Sequence, residues 1–408
     1  MVNKKKIFND PIYGFISIPY EIILDLIDHP YFQRLRRIKQ LGLTDFVYPG
    51  ALHTRFHHAV GCTYLMQKAI LNLRQKGNEI TEEEAIGVSI AILLHDIGHG
   101  PFSHALEHTL VDGITHEEIS LLIMEQLNKE FDGQLDVAIS IFKNSYPKKF
   151  LHQLVSSQLD MDRLDYLKRD SFYSGVSEGV ISSERIIDML DVVDDELVVQ
   201  QKGIYSIEKF IVARRLMYWQ VYLHKTVISA EFMLVKILER AKLVASSGTN
   251  LFGSPALVHF LTQKINSDDF NKIETLAAFA RLDDYDLMGA IKVWIDCDDK
   301  ILSMLCKAVI HRELFKVSMN PQATSSAELE NIATSIMDYY DVSRTDAEYL
   351  IINEEIANNA YNPKLDSINL VFKNGDIKDI TEASDNLNIQ ALTRPVKKYF
   401  VCHPKLQD

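Results

Sequence analysis

The sequence predicts a mainly α protein: an all-helical core, a small α+β C-terminal lobe and short β-hairpins. Apolar residues recur at helical spacing over long stretches. Strand-turn-strand patterns around Lys202-Gly203 and Asn374-Gly375 add hairpins, and no internal repeat or low-complexity tract interrupts the chain. Taken in order, helices are expected over 21–40, 59–76, 84–95, 116–130, 150–170 and 206–245. The third follows Thr81-Glu82-Glu83-Glu84, where a hydroxyl and the carboxylate three residues on can satisfy free amides of the first turn. Gly98, Gly100 and Pro101 end it. Ser206 is the expected N-cap of the last helix. Glu196 to Gln200 and Ile204-Tyr205 should pair across Lys202-Gly203, and Ile368 to Lys373 with Asp376 to Ile380 across Asn374-Gly375. Glu313 to Val317 and Val396 to Cys402 add strands to a lobe beginning near residue 310.

Composition bounds the function. At 408 residues the chain has room for two or three units, and 47% hydrophobic with 24% charged residues is ordinary for a globular protein. No apolar run reaches the ~18 residues of a membrane span. Met1-Val2-Asn3-Lys4-Lys5-Lys6 leads into Ile7-Phe8-Asn9-Asp10 rather than an apolar signal core, so a cytoplasmic location with no membrane partner is expected. Cys62, Cys297, Cys306 and Cys402 lack C-x-x-C spacing and read as buried free thiols in a reducing compartment. A net charge of −13 argues against general nucleic-acid binding. Basic islands run the other way: Arg34, Arg36, Arg37 and Lys39; Arg163, Lys168 and Arg169; Arg214 and Arg215. Each is either a solvated helix face or a site for a small polyanion.

His58, His95, Asp96 and Asp162 form a sparse H…HD…D series whose two imidazoles and two carboxylates suit one divalent metal. His95 and Asp96 close a helix, where neighbours can reach one ion; in mid-helix they would diverge by about 100°. A lone His-Asp pair is as readily a helix end with a dipole-favoured His, but five histidines lie between His95 and His116. Alone, Asp162 reads as an exposed salt-bridge partner. On a helix, however, Asp162, Tyr166 and Asp170 share a face, and three inward polar groups are costly unless they bind something.

These residues, with Phe32 to Gly42, Arg55-Phe56-His57-His58, His95 to His104, Thr115-His116-Glu117, Asp162 to Asp170, Tyr222 to Lys225 and Arg312 to Lys316, resemble the HD-domain superfamily of phosphohydrolases. They are most similar to the deoxynucleoside triphosphate (dNTP) triphosphohydrolases that carry a sterile-alpha-motif and an HD domain, and to their bacterial relatives. The resemblance implies a helical HD-domain catalytic core over 49–245. Around it come an N-terminal segment over 1–48 with allosteric and oligomer contacts, a helical extension over 246–310 and the α+β lobe over 311–408. It implies hydrolysis of dNTPs, dGTP favoured, to deoxynucleoside and inorganic triphosphate. His58, His95, Asp96 and Asp162 would hold one transition metal (Mn, Fe, Ni or Zn), and Mg would arrive with the substrate. His104 would be the general acid, oriented by Glu107, where the family has Asp. His99 and His116 would contact phosphate, and Arg55 would neutralise developing charge. Gln40 and Leu41 would sit against the deoxyribose and Tyr166 and Asp170 near the 3′ hydroxyl. Tyr222 would lie beside the sugar or base, Arg163 and Arg214 on the triphosphate, with Arg169 adding charge. Tyr218 stands where the animal enzyme has His.

The same resemblance implies regulation. Lys6, Ile7, Asn9, Asp28, Gln33 and Arg36 match an activator pocket for a dNTP or GTP, and Val47, His224 and Lys225 a second nucleotide site. Occupancy would assemble a homotetramer or other homo-oligomer. Two alternatives are an HD phosphohydrolase acting on another nucleotide and a nucleotide-sensing binding protein.

Overall fold

The computed structural model describes residues 6–102, 109, 111, 113–364 and 366–406. Over these residues the chain is mainly helical with three small sheets. Strands β1 (Ile7–Asp10) and β2 (Gly14–Ser17) form an antiparallel hairpin. Its turn is tied by Asp10, whose Oδ1 accepts from the amides of Ile12 and Tyr13 at 2.9 and 3.0 Å.

Helix α1 (Glu21–Asp28) stops well short of the expected residue 40. Pro30 is the reason: it forces the preceding residue out of helical backbone, and His29 is extended at φ −67, ψ 140. The chain resumes as α2 (Pro30–Gln33) and a 3₁₀ turn, Arg34–Arg37. Next come α3 (Arg55–Gln75), capped by Thr54 and His57, and α4 (Glu82–Leu94), capped by the anticipated Thr81 and Glu84 pair. Ile90 to Leu94 are fully buried, so α4 is apolar all round and runs through the core. Helices α5 (His116–Glu130) and α6 (Asp136–Phe142) follow.

The helix expected over 150–170 is two, α7 (Lys149–Val155) and α8 (Met161–Ser174). Asp160 starts the second: its side chain accepts from the Arg163 amide at 2.7 Å. After α9 (Ser183–Met189), β3 (Leu190–Val193) pairs with β4 (Glu196–Gln200). This replaces the hairpin expected at Lys202-Gly203. The two-residue turn is Asp194-Asp195, both left-handed at φ 51 and 65, which matches the twist of the flanking strands. Gly203, not Ser206, is the N-cap of α10 (Ile204–Met217). A π-helical turn, Tyr218–Tyr222, and an extended His224 then separate α10 from α11 (Lys225–Ser246). The extension holds α12 (Pro255–Thr262), α13 (Ile273–Phe279), α14 (Asp284–Trp294) and α15 (Lys300–Ile310).

Beyond residue 310 lie β5 (Lys316–Asn320), β6 (Ile352–Asn358), the expected hairpin β7 (Asn369–Val371) and β8 (Ile377–Asp379), and β9 (Val396–His403). One sheet has the order β5-β9-β6; in the other, β7 runs parallel to β4. No described helix is long and apolar enough to cross a membrane.

Two buried polar groups join the extension to the centre. Arg34, 1% exposed, donates from Nη1 to Phe279 and Leu282 carbonyls at 3.2 Å each and from Nη2 to those of Ile97 and His99 at 2.7 and 2.8 Å. Asp284 accepts from the amides of Lys39 and Phe102, both at 2.8 Å. Arg34→Met would leave four carbonyls without this donor and should cost ~3 kcal/mol or more, read as a lowered urea midpoint. Burial pushes the Asp284 carboxyl up to about 6, against its two amide donors. Between about pH 4 and 6 the folded state therefore holds a proton that the unfolded chain has lost. Stability relative to Asp284→Asn should fall through that window, by on the order of 2–3 kcal/mol, and level off above. A flat or rising difference in melting temperature would show instead that the amides hold the carboxylate ionised.

Candidate active site

Three helix ends converge. The first turn of α3 brings His58, the residues just past α4 bring His95 and Asp96, and the first turn of α8 brings Asp162. His58 Nε2 lies 3.0 Å from Asp162 Oδ1 and 3.7 Å from Asp96 Oδ2; His95 Nε2 lies 3.4 Å from Asp96 Oδ1 and 3.7 Å from Asp162 Oδ1. His58, His95 and Asp162 thus converge on one point with Cys62, while Asp96, near both imidazoles, groups with His99 and His116.

Each imidazole is held through its other nitrogen. His95 Nδ1 is 2.6 Å from the Ile92 carbonyl, which makes it the donor and leaves Nε2 as an acceptor. That Nε2 is buried and without a hydrogen-bond partner. His58 Nδ1 is 2.8 Å from Asp165 Oδ2. Burial opposes charge on both rings, yet Cys62, Asp162 and Asp165 raise His58 well above the usual imidazole range, and Asp96 and Asp162 raise His95. Conversely, Asp96 is held down against burial by His95, Arg55 and His99, and Asp162 by His58 and His95. The set demands positive charge at its centre, and an orphaned imidazole nitrogen points there. Both features fit a divalent cation with nitrogen and oxygen ligands.

Cys62, one turn beyond His58, stands at the back of this cluster with Sγ 3.6 Å from His58 Nε2. Burial pushes its thiol well up.

On one flank Arg55 donates to Asp96 Oδ2. His99 Nε2 is 3.3 Å from Asp96 Oδ1, and its ring stacks on His116 with centroids 3.9 Å apart. Burial and Arg55 hold His99 well below the usual imidazole range, so it faces the site uncharged. Gly98 makes this packing feasible: a Cβ there would fall 2.2 Å from the His116 carbonyl. The predicted acid pair, His104 and Glu107, lies outside the described residues.

The opposite flank is built by α8 and the π turn. Tyr222 donates to Asp170 Oδ2 at 2.7 Å, and His53 Nε2 is 2.7 Å from Asp170 Oδ1. The rings of Tyr166 and Tyr222 are 6.3 Å apart and those of Tyr218 and Tyr222 5.2 Å. Gln40, next to Leu41, donates its backbone N–H to the His53 carbonyl at 3.0 Å while its buried side-chain Oε1 has no partner. Arg163 bonds Asp160 at 2.8 Å and Arg214 bonds Gln158 at 3.1 Å, each with a buried, unpartnered Nε.

One expectation is overturned. Arg169, expected to add charge for a polyanion, is fully buried and spent on Asp165 and Asp10. Asp165 and His53 were not singled out from sequence; Asp165 lies three residues beyond Asp162, where a helix returns to the same side.

The activator candidates lie together on the surface. Lys6 Nζ bonds Asp28 at 2.6 Å, while Arg36 bonds Gln33 at 2.8 Å and covers the Phe56 ring at 3.5 Å. Ile7 is 58% exposed and Asn9 is exposed beside it. Of the second group, His224 caps α11 with its ring 6.0 Å from Tyr48, next to Val47, and Lys225 is exposed.

Comparison with known proteins accords with this geometry. The HD domain model matches residues 55–170 and the HD associated region 181–250. A phosphohydrolase crystal structure from Bacteroides thetaiotaomicron superposes with a TM-score of 0.95 at 54% identity, covering 98% of this chain and 100% of that one. The uncharacterized Bacillus subtilis protein YwfO is 34% identical over 94% of this chain and 88% of its own length. The deoxynucleoside triphosphate triphosphohydrolase SAMHD1 homolog of Dictyostelium discoideum is 37% identical over 58% of this chain, which spans 49% of that relative. The matched HD segment carries all four candidate ligands, and the chain belongs to the HD-domain family of phosphohydrolases.

Proposed function

We propose that the protein hydrolyses dNTPs, dGTP favoured, to deoxynucleoside and inorganic triphosphate. The observation that carries this reading is the two-sided site: acidic and imidazole ligands with Arg55 on one flank, and on the other the partnerless Gln40 Oε1 with the Tyr166, Tyr222 and Asp170 group. The first suits phosphate and the second a sugar. The named activity of the Dictyostelium relative supports the choice of substrate.

His58, His95, Asp96 and Asp162 would hold the metal, Mn, Fe, Ni or Zn. When bound, it supplies Lewis acidity toward the α-phosphoryl group and a water of lowered pKa. The chain's own groups do the rest. Arg55 offsets charge on the phosphoryl oxygens, neutral His99 donates a hydrogen bond to phosphate without adding charge, and His116 contacts phosphate beside it. Arg163 and Arg214 meet the oxygens of the triphosphate, with which Mg would arrive. His104 protonates the leaving 5′ oxygen, with Glu107 orienting it. Gln40 and Leu41 close on C2′ of the sugar, while Asp170, already fixed by His53 and Tyr222, faces the 3′ side with Tyr166, and Tyr218 borders the base. The Lys6, Ile7, Asn9, Asp28, Gln33 and Arg36 surface takes an activating dNTP or GTP, and Val47, His224 and Lys225 a second nucleotide in a homotetramer or other homo-oligomer. A cytoplasmic location goes with this reading.

Incubation of dGTP with the Mn²⁺-loaded protein should yield inorganic triphosphate; release of only pyrophosphate or orthophosphate would exclude the proposal. Arg55→Ala should lower kcat by ~10²–10³-fold. Asp162→Ala should abolish turnover and lower the metal content found by elemental analysis, with circular dichroism unchanged.

A further inference from the structure

A buried chain of ion pairs leads from the β1–β2 hairpin to the candidate metal ligands. Asp10 Oδ2 accepts from Arg169 Nη1 at 2.8 Å. The same guanidinium grips Asp165 with Nε and Nη2 at 2.8 and 2.9 Å. Asp165 Oδ2 in turn lies 2.8 Å from His58 Nδ1. Arg169, Asp165 and His58 are fully buried and Asp10 is 5% exposed. The Tyr13 ring, from the hairpin turn, lies 5.6 Å from the guanidinium carbon.

The chain crosses α3 where a side chain is missing. A Cβ on Gly61 would fall 2.1 Å from both Arg169 Nη2 and Asp165 Oδ1. Glycine in mid-helix is unfavourable by about 1 kcal/mol relative to alanine, and this close approach explains its presence there.

We propose that the β1–β2 hairpin is part of the metal centre, with Asp10 a positioning residue that acts on His58 through Arg169 and Asp165. A carboxylate on Nδ1–H fixes the His58 tautomer and makes Nε2 a stronger ligand. How strongly Asp165 does this depends on how much of its charge Arg169 takes. Asp10 shares the guanidinium and leaves Asp165 free to polarise His58. Removing that share turns Arg169 wholly onto Asp165 and weakens the ligand on its far side.

The proposal rests on the metal reading of the site, and its test needs no substrate. The full chain, stripped of metal, is titrated with Mn²⁺ while free Mn²⁺ is followed by electron paramagnetic resonance. Asp10→Asn keeps an oxygen for the Ile12 and Tyr13 amides and removes the charge facing Arg169. Mn²⁺ affinity should fall about tenfold, with binding regained at high Mn²⁺. Arg169→Lys keeps the buried charge but cannot span both carboxylates; it should show a similar loss and decides the matter if Asp10→Asn fails to fold. Affinity within twofold of the wild type overturns the proposal, as does a lowered melting temperature of the metal-free protein with unchanged affinity, which would make Asp10 structural only. A wild-type chain that binds no Mn²⁺ overturns the metal reading itself, and the relay with it.

Discussion

The carboxylate of Asp162 and the imidazoles of His58 and His95 meet within a helical core, where an isolated charge would cost several kcal/mol. Much of the surrounding architecture serves to make that meeting tolerable. Asp162 sits in the first turn of α8, where the helix dipole favours a negative charge. Asp96 has Arg55, and His58 has Asp165 behind it. Each charged group is fixed by a second that points it at the centre.

The parts of the molecule outside the HD match are drawn in for the same purpose. Arg34 fastens the Ile97 to His99 turn to the end of α13, and Asp284 holds Lys39, beside Gln40, together with Phe102. From the C-terminal side Asp366 accepts from the Gln158 amide at 2.8 Å, and the Gln158 side chain accepts from Arg214 at 3.1 Å. Strand β7 reinforces this contact by adding to β4. The walls of the site are therefore set from the extension and the C-terminal lobe as well as from the core.

Much of this was legible in the chain, for physical reasons that differ by residue. The Thr81 and Glu84 cap and the Gly98 to Pro101 breaker bracket α4 because local chemistry alone decides helix ends. The Asn374-Gly375 hairpin was equally plain, since Gly375 supplies the left-handed backbone its turn requires. The approach of His58, His95, Asp96 and Asp162 to one another could be anticipated because H…HD…D has few packing uses. What failed depended on partners remote in sequence or on subtler local breaks. Pro30 was overlooked inside an apolar rhythm, and Asp160 and the π turn cut two helices whose periodicity runs on across the break. Arg169 looked like one more surface cation, and only the fold shows Asp10 and Asp165 on either side of it. Cys62 gave no signal, because an apolar helix position reads the same whether or not a histidine lies one turn earlier.

The sequence distances within these contacts bear on how the chain reaches its native state. His58 and Asp165 are 107 residues apart, Asp10 and Arg169 are 159, and Lys39 and Asp284 are 245. Closing such loops costs entropy before any contact repays it, whereas α4 and α5 carry their own caps and form from local interactions. Secondary structure should thus appear early in refolding and the ligand cluster late. The cluster of His58, His95, Asp96 and Asp162 would then be completed in the last steps of folding, after residues well beyond these four had been made.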